Sequence, residues 1–267
     1  MAGRRRPRGH TRNSGSAADT DTEGGTMPMT PDSPAAVIFD LDGTLVDSGR
    51  AYLAAEQQAL AHFGYHHFTA ADHAEFVGVG MREMWQRVVA TRPVAAGADE
   101  LLELGNRLYL AGIRRSVPLH RGAVHLAELL HEAGVPLAVA SGSSRQVIGA
   151  ALASGRLDRL FTVCVSAEDV PRGKPDPAVF LEAARQLSVP AEACVVVEDA
   201  ATGVLAALRA GMRCVAVTRE AARGCPRAVR SGRLLIAEHT DFDAHDVVRR
   251  IGAAGNVAPP RTTKAPG

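Results

Sequence analysis

The residues best placed for chemistry are acids that close apolar runs. Asp40 and Asp42 end the run Ala36–Leu41 and lead into Asp40-Leu41-Asp42-Gly43-Thr44-Leu45-Val46-Asp47-Ser48. On an extended chain, residues two apart project to the same side. Gly43 then lets the backbone turn where a side chain would obstruct it. Two neighbouring carboxylates disfavour each other's ionised form unless a cation intervenes, and magnesium is the hard, oxygen-seeking ion that such sites favour. A carboxylate can also attack a phosphoryl group to give an acyl phosphate. Its neighbour can protonate the leaving oxygen and later deprotonate water. The competing reading of the same residues is a plain Asx turn after a strand.

Three later features have the same placement. Ser141 and Gly142 follow a second apolar run, in Val139-Ala140-Ser141-Gly142-Ser143-Ser144, just before a helical pattern. A hydroxyl with the free amides of Gly142 and Ser143 at a helix N-terminus makes a phosphate cradle; a serine N-cap is the alternative, and Ser144 suits that role. Lys174 lies in Arg172-Gly173-Lys174-Pro175-Asp176-Pro177, where flanking Gly and Pro would fix it as a counter-charge to phosphate. Its alternative is an ordinary surface lysine. Glu198 and Asp199 close the most hydrophobic run of the chain, Cys194–Val197, with Gly203 shortly after. Acids at the end of a buried strand call for a cation or for hydrogen-bond donors. Four such coincidences, in order along the chain, are better explained by one shared site.

The elements that would position these groups alternate in type. Ala36–Leu41, Val135–Ala140, Leu160–Val165, Ala193–Val197 and Arg213–Val217 are short continuous apolar runs, as expected of strands buried on both faces of a parallel sheet. Helical patterns over Ala123–Ala133, Arg145–Ser154, Pro177–Leu187 and Thr202–Ala210 separate them. This order predicts a Rossmann-like, doubly wound α/β domain with right-handed crossovers. Ser48–Pro118 breaks the rhythm: it carries helical patterns at Tyr52–Phe63, Met81–Ala90 and Ala98–Ile113 and no strand. It is too long for a simple connection, so a small helical domain inserted after the first strand is expected. Ligands bind at the carboxyl edge of such sheets, so the insert is placed to act as a lid. The expected division is a core of residues 33–48 and 117–257, a helical cap of 49–116, a disordered leader of 1–32 and a disordered tail of 258–267.

Composition narrows the function classes. With 30 basic against 29 acidic side chains, there is no bulk electrostatic reason to expect nucleic acid or an anionic membrane as partner. An aromatic share of 4% argues against base-stacking platforms. The leader holds Arg4, Arg5, Arg6, Arg8 and Arg12, but Asp19, Asp21 and Glu23 follow, so a solvated leader is preferred over a nucleic-acid arm. It has no hydrophobic segment of a secretory signal, and no apolar stretch is long enough to span a bilayer; a cytoplasmic protein is the default expectation. Cys164, Cys194, Cys214 and Cys225 have no metal-binding spacing and are expected to be free thiols, the first three buried in strands.

On the four motifs together, residues 36–218 resemble the haloacid-dehalogenase superfamily, in the branch that holds β-phosphoglucomutase and many sugar-phosphate phosphatases. Its DxDGT signature stands here as Asp40–Thr44, its serine motif as Ser141, its lysine motif as Lys174 and its acidic motif as Glu198–Asp199. The resemblance implies a phosphatase of a small phosphorylated metabolite. Asp40 would be nucleophile and magnesium ligand, and Asp42 general acid and base, with its backbone carbonyl on the metal. Ser141 and Lys174 would hold the phosphoryl group, and Asp199 would complete the Mg2+ site, with Glu198 either a further ligand or an acid that orients the ligands. Gly43, Gly142 and Ser143 would line the substrate site. Phe76–Glu83 resembles the family's cap loop, which makes Arg82 a candidate substrate grip or, equally, a solvent-facing helix-start arginine. Beta-phosphoglucomutases usually carry a histidine where this chain has Tyr52, which tilts the expectation from mutase to phosphatase. The phosphonate-cleaving relatives need a cap lysine, and residues 48–118 contain none. A phosphosugar mutase and an inactive phosphometabolite-binding protein are the alternatives. Nothing in the spacing of His62, His66, His67 and His73 supports a second metal site.

Overall fold

The computed structural model describes residues 34–76 and 79–253. The leader and tail expectations, and Val77 and Gly78 of the cap loop, lie outside these residues. In chain order the elements are β1 (Ala36–Phe39), α1 (Gly49–His62), α2 (Ala70–Ala74), α3 (Met81–Thr91), α4 (Ala98–Arg115), α5 (Arg121–Glu132), β2 (Leu137–Ser141), α6 (Arg145–Gly155), β3 (Val163–Ser166), α7 (Ala178–Leu187), β4 (Cys194–Glu198), α8 (Ala201–Arg209), β5 (Arg213–Ala216), α9 (Pro226–Arg230), β6 (Leu234–Ile236) and α10 (Ala244–Ala253).

The strands form one parallel sheet in the order β3-β2-β1-β4-β5-β6. The order in which strands are added reverses between β1 and β4, so this parallel central pair has its carboxyl ends at the switch point where α/β sheets place ligands. The doubly wound expectation is borne out. Period-2 alternation divides the apolar residues between two layers. Val37, Phe39, Val139, Val195 and Val197 face α5, α6 and α10. Ala36, Ile38, Ala140, Val165 and Val196 face α7 and α8. Both sides of the central strands are covered, which is why their sequences read as unbroken apolar runs.

Helices α1–α4 lie between β1 and α5 and carry a third apolar cluster of their own. Trp85, Met84 and Val88 of α3 meet Ala59 and Leu60 of α1, Leu101 of α4, and Phe68 and Phe76. Gly105 of α4 lets the Trp85 ring approach: a Cβ there would sit 3.2 Å from the ring. Ala55 of α1 and Tyr109, Leu110 and Ile113 of α4 instead pack into the cluster on the sheet, so the base of the insert is continuous with the core beneath it.

Three expectations need correction. No element is predicted beyond Val217, yet β6, α9 and α10 follow. Strand β6 is only three residues long with a single fully buried side chain, Leu234, and gives no periodic signal. Leu160 and Phe161 read as strand because they are buried, but they precede β3, whose first residue is Val163. Cys164 is exposed rather than buried, because β3 is the edge strand; Cys194 and Cys214 are buried and Cys225 is partly so. Among the described residues no helix is long and apolar enough to cross a membrane.

Candidate active site

Four of the sequence-predicted groups meet at the carboxyl edge of β1 and β4. Asp40 extends β1 by one residue, its amide donating to the Val197 carbonyl at 2.9 Å. Asp40 is 5% exposed as a residue, and Glu198, the last residue of β4, 1%. Lys174 arrives from the loop before α7 and bridges them, with Nζ 2.5 Å from Asp40 Oδ1 and 2.7 Å from Glu198 Oε1. The second Glu198 oxygen, Oε2, accepts from the Ala200 amide at 2.7 Å. Lys174 also stands 4.8 Å from the centroid of the Phe180 ring, a cation–π contact that fixes its stem.

Asp199 follows Glu198 and points at the same place. One carboxylate oxygen from each of Asp40, Glu198 and Asp199 falls within 4.8 Å of the others. Thr44 donates to Asp199 Oδ1 at 3.3 Å, and Thr218 donates to its backbone carbonyl at 2.8 Å. Burial pushes the Asp199 carboxyl well above the usual range, reinforced by the charges of Glu198 and Asp40. Asp40 is raised for the same first reason, partly offset by Lys174. Burial works against the Lys174 ammonium, but Asp40 and Glu198 outweigh it and the net shift is upward. Three crowded carboxylates against one ammonium are short of positive charge, and their donors are all oxygen. This set fits a hard divalent cation better than a zinc-type ion that prefers nitrogen or sulfur.

Two glycines make the cluster possible. Gly43 has a φ of +83°, and a Cβ on it would overlap the Asp199 carboxylate. Gly203, near the start of α8, is helical, but a Cβ there would overlap the Glu198 carboxylate. Sequence reading finds Gly43 through its turn; it passes over the role of Gly203, because an unstrained helical glycine carries no conformational signal.

Asp42 has a separate set of partners. Its Oδ2 accepts from Ser143 Oγ at 2.6 Å and its Oδ1 from the Tyr109 hydroxyl at 2.6 Å. Ser141 Oγ, 1% exposed as a residue, lies 3.5 Å from the same Oδ2 and accepts from the Ser143 amide at 3.0 Å. Ser144 caps α6, its Oγ accepting from the Val147 amide, so Ser141, Gly142 and Ser143 sit at a helix N-terminus. Tyr52 stacks on Tyr109 with ring centroids 3.8 Å apart, and its hydroxyl lies 3.1 Å from Ser143 Oγ. Burial first, and then the Asp42 charge, raise both phenols, which therefore stay protonated donors. Tyr109 is a site residue that the sequence reading missed. Its signal was a hydroxyl in the buried stripe Leu101, Gly105, Tyr109, Ile113 of α4, since a buried tyrosine hydroxyl requires a partner.

Arg82 is not brought to this cluster. It begins α3 and pairs with Asp99 at the start of α4, both side chains largely exposed. Among the insert histidines, His73 is bound through Nδ1 to the buried Glu56 carboxylate at 2.7 Å.

A doubly wound parallel sheet with acids and a lysine at its switch point, roofed by a helical insert, defines a class of α/β enzymes. The profile of the haloacid dehalogenase-like hydrolases matches residues 37–217. The phosphoglycolate phosphatase of Pseudomonas fluorescens is 33% identical over 208 residues, covering 76% of each chain. The validoxylamine A 7'-phosphate phosphatase of Streptomyces hygroscopicus is 34% identical over 185 residues, covering 68% of this chain and 84% of that one. In fold, the chain is similar to a putative beta-phosphoglucomutase from Thermotoga maritima, with a TM-score of 0.65 at 24% identity over 80% of this chain and 98% of that one. The chain belongs to the haloacid dehalogenase-like hydrolases, and it is an enzyme of that family's phosphoric monoester hydrolase type.

Proposed function

We propose that the protein is a magnesium-dependent phosphatase of a small phosphorylated metabolite, acting through a phosphorylated Asp40. The observation that carries this reading is the buried Asp40–Lys174–Glu198 bridge with Asp199 at its side. A carboxylate nucleophile, a fixed cation and a spare acidic cluster then occupy one strand edge. The relatives named above act, by their names, on small phosphate esters, which supports the substrate class.

Asp40, Glu198 and Asp199, with the Asp42 carbonyl, would hold Mg2+, which when bound offsets negative charge on the phosphoryl oxygens. Asp40 Oδ attacks phosphorus as the ester P–O bond breaks, and the leaving oxygen takes its proton from the Asp42 carboxyl. The Asp42 carboxylate then removes a proton from water, whose oxygen attacks the same phosphorus, releasing inorganic phosphate and restoring Asp40. Lys174, Ser141 and the amides at the α6 N-terminus offer the positive charge and donors on which a loose phosphoryl transition state depends.

The test is phosphate release from a panel of 2-phosphoglycolate, glucose 1-phosphate, glucose 6-phosphate, sorbitol 6-phosphate and acetyl phosphate, with magnesium or with EDTA. Release is expected with magnesium only, and Asp40→Asn is expected to lower it at least about 10³-fold with the fold intact. Substantial turnover by Asp40→Asn would overturn the mechanism. Isomerisation of glucose 1-phosphate without free phosphate would convert the reading to a mutase.

A further inference from the structure

The hydroxyl groups around Asp42 form a directed set. Ser143 has one proton to give and gives it to Asp42 Oδ2 at 2.6 Å, so the Tyr52 hydroxyl must be the donor in its 3.1 Å contact with Ser143 Oγ. Tyr109 donates to Asp42 Oδ1 at 2.6 Å. Each of these donations runs toward Asp42. The Lys174 ammonium is committed to Asp40 and Glu198, so the Asp42 carboxylate is oriented by hydroxyls. Of the four hydroxyls around Asp42, Ser141 among them at 3.5 Å, two sit on the insert, Tyr52 on α1 and Tyr109 on α4, their rings stacked at an interplanar angle of 8°. The stack restrains both rings: Tyr109 reaches Asp42 Oδ1 directly, and Tyr52 reaches Oδ2 through Ser143.

We infer that Tyr109 and Tyr52 are positioning residues for Asp42: they fix the plane of its carboxyl group for proton delivery to the leaving oxygen and make that orientation depend on the seating of the insert over the sheet. This rests on the phosphatase reading above. Without the tyrosine hydroxyls, the carboxyl group turns about its side-chain bonds, and the fraction of time it faces the leaving oxygen falls.

The experiment compares two leaving groups. Alkyl alkoxides are poor leaving groups and need the Asp42 proton; acetyl phosphate departs as acetate and does not. Tyr109→Phe keeps the stacked ring and removes one hydroxyl. It is expected to lower kcat/KM, which reports the steps up to phospho-Asp40, about 10–50-fold on whichever alkyl ester of the panel the wild type cleaves fastest. On acetyl phosphate kcat/KM should change by less than about threefold, while kcat falls on both substrates to the extent that hydrolysis of phospho-Asp40, which uses Asp42 as base, limits turnover. Tyr52→Phe, which acts through Ser143, should show the same selectivity at about threefold on the alkyl ester. A purely structural role for the pair would lower kcat/KM on both substrates by one factor, or on neither, and that result overturns the inference while leaving the phosphatase reading standing. A wild-type enzyme that cleaves no alkyl ester of the panel overturns the inference with the acid role of Asp42, and one that releases phosphate from no compound overturns the phosphatase reading as well.

Discussion

The carboxyl edge of the sheet and the helical insert hold their polar groups in opposite ways. At the edge, backbone register does the positioning: β1 and β4 pair Phe39 with Val197, and the residues that follow, Asp40 and Glu198, are delivered to neighbouring places without choice of side-chain route. Their charges are then matched by Lys174. On the insert, polar groups stand out from helices whose separation is set by packing around Trp85, and each is pinned by one partner: Tyr109 by Asp42, His73 by Glu56, Arg82 by Asp99. The edge is crowded and intolerant of added volume, while the insert is looser.

Glycine to alanine changes test that contrast most strongly. In a helix interior alanine is ordinarily favoured over glycine by about 0.5–1 kcal/mol. Gly112 of α4 has nothing within 4 Å of a new Cβ, so Gly112→Ala should stabilise the protein by roughly that amount. Gly203→Ala should do the reverse. The new Cβ overlaps Glu198, which cannot move aside because Lys174 and the Ala200 amide hold its two oxygens. A loss of about 1–3 kcal/mol is expected, with turnover falling at least about tenfold as Glu198 leaves its place. Thermal melts and phosphate release on the two variants check both signs. Equal stabilisation by both would show that the edge is as accommodating as the insert.

The same contrast governs what could be read from sequence. Strand ends announce themselves, because a buried apolar run that stops at an acid fixes where that acid lies. Asp40, Asp42, Glu198 and Asp199 were legible for that reason, Ser141 because a strand end runs into a helix N-terminus, and Lys174 from its Gly and Pro flanks, although their chemical roles rest on the proposal above. The Tyr109–Asp42 contact joins residues 67 apart through the tilt of a helix, and no local pattern encodes that tilt. Gly203 is silent for a different reason: its importance lies in what occupies the space beside it. Strand β6 was illegible because it is too short for periodicity; helix α10, whose Ala244, Val247 and Ile251 recur at helical spacing among charged neighbours, was legible and was passed over.

A smaller effect separates the two regions by pH. The bond to Glu56 raises the His73 pKa above its ordinary value, against a partial opposing cost of burial. A histidine raised in the folded state contributes stability that is fully present below its unfolded pKa, about 6.5, and is lost as pH rises through the folded value. Melting followed by Trp85 fluorescence, within the insert cluster, should therefore show extra stability on the acid side of neutrality. The contribution is expected to stay under about 1 kcal/mol, because His73 is partly open to solvent. Glu56→Gln should flatten this dependence. His120 and His239 oppose it: they stack at 3.7 Å near Gly43, and burial lowers both, so they favour the folded state above about pH 6.5 and lose that contribution as pH falls. The Glu56→Gln difference isolates the insert from this second pair.

The smallest effect is expected at Arg82. Its pairing with Asp99 is solvent-exposed on both sides, where screening and side-chain entropy leave about 0–1 kcal/mol of net stabilisation. Arg82→Ala should leave the melting temperature nearly unchanged. If Asp99 is the sole occupation of this arginine, kcat and KM for every substrate of the panel should stay within about twofold of wild type. If Arg82 reaches the substrate when the insert seats, KM should instead rise by about tenfold or more, the scale of a lost charge-assisted contact to an anionic ester. Asp99→Ala discriminates further. Freeing Arg82 from its partner would lower KM in the second case and leave it unchanged in the first, so the pair of variants decides whether the insert grips substrate through its rim or acts only by positioning Asp42 through the tyrosines at its base.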